Sequence, residues 1–211
     1  SLFMEIKKLA SNSLNFIIKR FIELFGLVIS IVSIFLFSSL LSYSPEDPNF
    51  IFPDQTNIKN IFGFRGSFTS DLFFQSFGLT SMLIPFSLFF TSINIFKSKK
   101  FFLFVQNLFF IILYLIFGSI FFSIFYSKSF WLIINGNGGF VGNYLSNSFL
   151  IKFLDFNEQV SYFFLIISVI ILFLISTNFN IYKTFNFLKK IFSFKFFKKK
   201  QSNNNLLNDN H

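Results

Sequence analysis

The sequence predicts an all-α integral membrane protein of four transmembrane helices, with an amphipathic helix in the second outer loop. Three observations predict it. Of the 211 residues, 53% are hydrophobic and only 13% charged, against about one-quarter charged in an ordinary soluble domain. The charges fall so that they leave long uncharged windows. Lysine and arginine are then distributed unevenly between alternate loops.

Composition also excludes whole classes of chemistry. There is no cysteine, so thiolate metal sites, thiol nucleophiles and disulfides are ruled out, and the redox compartment cannot be inferred. The one histidine, His211, is the last residue, which leaves no imidazole for a buried site. Phenylalanine occurs 42 times, whereas arginine is limited to Arg20 and Arg65 and alanine to Ala10. Phe, Ile, Lys and Asn share A/T-rich codons, so nucleotide bias accounts for the phenylalanine better than an aromatic box does.

A spanning helix needs about 20 apolar residues. The first candidate, residues 21–41, contains Leu24–Leu41 with 13 apolar residues in 18, enough to outweigh one Gly and four Ser. It is too long for a signal-peptide core and lacks a small-residue cleavage site. The second, residues 72–96, carries Pro85 mid-span, which lipid-embedded helices accept as a kink. Ser70 or Asp71 is its expected N-cap, and Gly66, Ser70, Gly78 and Ser81 form its expected close-packing face. The third spans 101–126, with Gln106 and Asn107 able to bond across helices. The fourth, 160–177, is short and leans on Ser176 and Thr177.

A fifth uncharged window, Ser129–Ile151, holds four Gly and four Asn, which oppose an inserted helix. From Phe140 to Leu154 its apolar pairs recur at helical spacing, with Asn143, Ser146, Asn147 and Lys152 between them. That pattern suits a helix on the membrane surface or on the bundle's outer face; a loop with a short frayed helix suits it equally. With four spans and the N-terminus inside, inner segments hold fourteen Lys and Arg and outer loops four. Both termini are therefore expected in the cytoplasm.

The expected organisation is a cytoplasmic segment (1–20), a four-helix domain (21–177), a basic amphipathic segment (178–200) and the start of a polar linker (201–211). In the third of these, Lys183, Lys189, Lys190, Lys195, Lys198, Lys199 and Lys200 surround an apolar stripe suited to anionic lipid. No ionisable residue is expected at mid-membrane, which argues against ion-coupled transport.

Certain features recur in a telling order. Ser42-Tyr43-x-Pro45-x-Asp47-Pro48 follows the first span, where the prolines stop the helix and Glu46 and Asp47 sit as acids in an outer loop. Then come Asn60-x-x-Gly63-x-x-Gly66, Asp71, Phe77-Gly78 and Pro85. Between the third and fourth spans stands Gly138-Gly139-Phe140-Val141-Gly142-Asn143-Tyr144-Leu145. In this order the features resemble the N-terminal membrane domain of FtsK/SpoIIIE-type DNA translocases, over roughly residues 20–180. Asn49 departs from the family's usual Ser after Asp-Pro, and Ser67, Ser70 and Ser81 stand where it favours Ala.

The resemblance implies a membrane-anchoring and assembly domain of a septal translocase, coupling chromosome segregation to cell division in the bacterial inner membrane. It also implies the bilayer, other copies of the chain and other cell-division membrane proteins as partners. Catalytic, cofactor and metal residues are expected to be none. There is no Gly-Lys pair in the sequence, and so no phosphate-binding loop. ATP, Mg and DNA are expected only at a C-terminal motor following this region, and Met4 is the expected initiator. The alternative reading is a standalone structural protein of the cell envelope.

Overall fold

The computed structural model describes residues 2–48, 57–148 and 157–178. All regular structure among them is helical: α1 (Leu2–Leu41), α2 (Gly63–Phe77), a 3-10 segment (Gly78–Leu83), α3 (Ile84–Ser98), α4 (Phe102–Phe125), α5 (Gly139–Ser146) and α6 (Glu158–Ser176). Four stretches are long and apolar enough to cross a membrane, namely Met4–Leu41, Gly63–Ser98, Phe102–Phe125 and Glu158–Ser176. They end within two residues of the four expected spans, but the first begins 17 residues earlier than expected and the second nine. The lysines from Lys183 to Lys200, the linker, and the 149–154 half of the expected amphipathic helix lie outside the described residues.

Helix α1 runs for 40 residues, about 60 Å, twice the hydrocarbon thickness. Residues 2–20, expected as a cytoplasmic segment, are helical and continuous with the span. No Pro or Gly pair interrupts them. Near the point where α1 meets the bundle, the Glu23 carboxylate accepts from Arg20 at 2.5 Å and Lys99 at 2.8 Å. Lys99 occupies the left-handed turn between α3 and α4 (φ 55°), and Phe25 packs on Phe101 and Phe104. This is the Lys99 end of the bundle.

The second apolar stretch differs from the expected kinked span. Gly78, at φ +63° and ψ −148°, ends α2, and the chain then winds as a 3-10 helix. The Ser81 carbonyl therefore accepts from Ile84 N–H, three residues on, rather than from residue 85, which has no N–H. Pro85 thus lies in the first turn of a new helix, where proline is favoured. Asn60 of the α2 entry bonds to Ser39 and Ser42, while Asp71 and Phe74 further along α2 touch Tyr43. Both parts of α2 thus meet the exit of α1.

α1 packs along α3 and α4 along α6, while α5 docks on α4 and α2. The interior contains more small polar residues than large apolar ones. Ser39, Ser70, Ser81, Ser87, Thr91, Asn107, Ser119 and Ser176 are fully buried, whereas Val28, Ile31, Phe109, Ile112, Phe163 and Ile170 are exposed. Lipid explains the inversion: it solvates apolar side chains as well as a core does, so close packing and interhelical hydrogen bonds go inside. Ser87 Oγ lies 3.1 Å from the Tyr114 hydroxyl and 2.8 Å from Ser176 Oγ. Asn107 Nδ2 donates to Thr91 Oγ1 at 2.8 Å, and Asn94 Nδ2 to the Thr177 carbonyl at 3.1 Å. These bonds join α3 to α4 and to α6. Of the expected pair, only Asn107 turns inward, and Gln106 is exposed.

Candidate functional site

Opposite the Lys99 end, the segments 42–48, 57–62 and 126–138 meet α2 and α5. The first junction is built on Asp47, which is 5% exposed. One carboxylate oxygen accepts from Lys59 N–H at 2.8 Å and the other from Asn60 N–H at 2.9 Å. Asn60 in turn donates from Nδ2 to the carbonyls of Ser39 (2.9 Å) and Ser42 (3.4 Å), and its Oδ1 accepts from Phe62 N–H. A helix leaves its last carbonyls without intrahelical partners, and here a residue some 20 positions downstream satisfies one of them. Ser42 Oγ accepts from Ile61 N–H at 3.2 Å, and Ser67 Oγ donates to the Pro48 carbonyl at 2.7 Å. Pro45 occupies the second position of a turn closed by Asp47 N–H on Ser44 O, a favoured place for it. A Cβ on Gly66 would lie 1.9 Å from Asn60 Oδ1, so this residue must be small.

The two acids of this loop behave differently from one another. Both were expected simply to tolerate an outer loop. Glu46 does so, exposed and paired with exposed Lys59, which lowers its pKa. Asp47 is instead the buried anchor, because two backbone N–H groups converge on it.

The second junction is a relay of side chains. The Tyr43 hydroxyl donates to Asp71 Oδ1 at 3.2 Å, and Gln75 Nε2 donates to the same oxygen at 3.3 Å. Asn135 Nδ2 donates to Gln75 Oε1, Asn143 Nδ2 to the Asn135 carbonyl, and Ser123 Oγ to Asn143 Oδ1. The relay leads from the exit of α1 to α4. Burial, and then the charge of Asp71, push the Tyr43 phenol well above its usual range. A raised phenol pKa means that the proton holding this contact is present at neutral pH and is lost only in strong alkali.

Glycines form the third junction. Leu79 N–H donates to the Asn137 carbonyl at 2.9 Å, and a Cβ on Gly78 would lie 1.8 Å from that same oxygen. Gly139 (φ +67°) abuts the Gly78 nitrogen, while Gly138 and Gly142 abut the Ser119 carbonyl. Two glycine motifs some 60 residues apart therefore touch each other.

Several expectations are corrected here. Ser70 and Asp71 do not cap a span, because α2 already starts at Gly63 and both lie inside it. Of the expected packing face, Gly66 meets Asn60 and Gly78 meets Asn137, both loop residues, rather than another helix. Ser81 donates to the Phe73 carbonyl and Ser70 to Ser67. Asn143 does not belong to an outward polar face. α5 turns Gly142 and Asn143 toward α4 and Gly139 toward the end of α2, and leaves Phe140 and Tyr144 exposed. Sequence reading missed Gln75, Asn135, Asn137 and Ser119 as partners. Only the density of Asn in NGNGGFVGN hinted at them.

Between α2 and the 126–138 segment lies a groove of about 460 Å³, lined by Phe68, Leu72 and Phe140 with Asp71, Gln75 and Asn135 among them. Among the described residues no group of three or more His, Cys, Asp or Glu could hold a metal ion. The arrangement provides a braced surface.

The family model for the 4TM region of DNA translocase FtsK/SpoIIIE matches residues 18–189. The chain belongs to this family. It is thus the membrane-anchoring, non-catalytic region of an FtsK-type translocase and a multi-pass inner-membrane protein. A 74-residue stretch is 31% identical to the DNA translocase FtsK of Rickettsia bellii (strain RML369-C), covering 35% of this chain and 10% of that protein. No solved structure matches significantly. The match takes in the whole stretch, roughly residues 20–180, over which the motif order resembles that region.

Proposed function

We propose that this FtsK-type membrane region holds a DNA translocase at the division septum, with both termini in the cytoplasm. The family match over residues 18–189 supports this reading most directly. In it the chain works mechanically and spatially. Four helices fix the motor to the membrane, other copies of the chain associate with it, and the braced loop end meets other division proteins outside. ATP, Mg and DNA are handled by a motor that follows this region. The lysines from Lys183 to Lys200 rest on anionic lipid beside the membrane.

Residues Ser42, Asp47, Pro48, Asn60, Gly66, Asp71, Gly78, Gly138, Gly139 and Gly142 serve this function by giving the loop end one shape. A fluorescent fusion to the protein in dividing cells is expected to concentrate at the septum. Uniform labelling of the envelope would leave the standalone envelope protein as the better reading.

Orientation has its own test, made simple by a chain without cysteine. Single cysteines at Asn57, Lys128, Ser98 and Asn204 are expected to react with an impermeant thiol reagent on intact cells only at the first two. Reaction at Asn204 from outside would mean that the Ser129–Ile151 window spans the membrane and that the topology is wrong.

A further inference from the structure

The segment Phe130-Trp131-Leu132-Ile133-Ile134 joins α4 to α5 and is the most apolar loop among the described residues. Leu132 turns into the core at 1% exposure, while Phe130, Trp131, Ile133 and Ile134 stand 82%, 51%, 78% and 60% exposed. Phe140 and Tyr144 of α5 extend the same surface. We propose that this loop is a membrane anchor, seated at the boundary between headgroups and acyl chains, with phospholipid as its partner.

Position argues for it first. The loop is clamped to Gly78 and Ser119 by Gly138, Gly139 and the Asn137 carbonyl. Measured along the helices from the Lys99 end, Ser119 lies about 26 Å away and Gly78 about 34 Å. A hydrocarbon core is about 30 Å thick, so the clamp holds the loop where that core ends.

Internal bonding argues for it next. Irregular backbone is tolerated beside lipid only when its polar groups are satisfied within the protein. Ser129 Oγ accepts from the N–H groups of Trp131 and Leu132. Asn137 Nδ2 donates to the carbonyls of Tyr126 and Lys128, and Asn143 Nδ2 to that of Asn135. Gly136 N–H bonds to Leu132 O, and Asn137 N–H to Ser127 O. No charged residue occurs from 129 to 151, and exposed Lys128 stands at the edge, where its amine reaches phosphate.

Trp131 is the sole tryptophan and reports on the loop directly. With the 211-residue chain in phosphatidylethanolamine–phosphatidylglycerol vesicles, lipids brominated near the headgroup are expected to quench its emission about twofold more than lipids brominated near the bilayer centre. Aqueous iodide should quench weakly. Ile133→Asp, at an exposed position, is expected to reverse the order, with iodide becoming the stronger quencher. Strong iodide quenching of the unaltered chain would overturn the proposal by placing the loop in water. Stronger quenching from the bilayer centre would place it too deep. Protection from both quenchers would mean that protein covers it, and would overturn the proposal equally.

Discussion

Replacing Gly78 with alanine is expected to destroy the loop end, at a cost of about 4 kcal/mol or more. Two effects combine. The backbone at φ +63° and ψ −148° belongs to a region that is essentially restricted to glycine. The added Cβ would also lie 1.8 Å from the Asn137 carbonyl oxygen and 2.5 Å from its carbon. These are backbone atoms, and Asn137 is held by hydrogen bonds to Tyr126, Lys128 and Ser127, so it cannot step aside. Gly63 supplies the control. It too has positive φ, +59°, but nothing lies within 4 Å of its Cβ position, and alanine there should cost only about 1 kcal/mol. Thermal unfolding in detergent, followed by size-exclusion chromatography, separates the two. Similar melting of both variants would show that the clamp adds nothing to the strain.

Asp47→Ala is the second large effect, expected to remove about 3 kcal/mol. Hydrogen bonds to a charged group contribute about 1.5–3 kcal/mol each, and Asp47 receives two from backbone N–H groups, with partial relaxation offsetting part of the loss. Without it the 57–62 segment loses its hold, and Asn60 no longer caps α1. Asp47→Asn keeps one accepting oxygen and should fall between the two. Glu46→Ala, one residue away and of equal charge, should leave the melting temperature unchanged because its ion pair is exposed and screened. Limited proteolysis within 42–62 would read the same ordering: rapid cutting of Asp47→Ala, and no change for Glu46→Ala. If both variants behave alike, the buried carboxylate is not the anchor.

The four apolar stretches were legible because hydropathy is local. A run such as Leu24–Leu41 is apolar whatever surrounds it, and Glu23 and Glu46 bound its window. Turn chemistry was legible for the same reason, since Pro45 stops a helix by its own ring. Periodicity was less reliable. The spacing of Phe140, Tyr144 and their neighbours did signal a helix, but in lipid a bundle need not bury its large apolar face. α5 accordingly packs through Gly139, Gly142 and Asn143. Pro85 likewise announced a disturbance, though not that six residues of 3-10 helix would absorb it.

Sequence alone determined the class, the number of apolar stretches, and the order of motifs by which the FtsK/SpoIIIE membrane region is recognised. It also ruled out thiol and imidazole chemistry. Only the tertiary structure decided the partners of those motifs. Asp47 finds Lys59 and Asn60, Tyr43 reaches Asp71, and Gly78 meets Asn137 across some 60 residues of chain. The physical reason is range. Side-chain hydropathy and proline geometry act within a residue or a helical turn, whereas a hydrogen bond or a Cβ clash exists only once folding brings two distant backbones together.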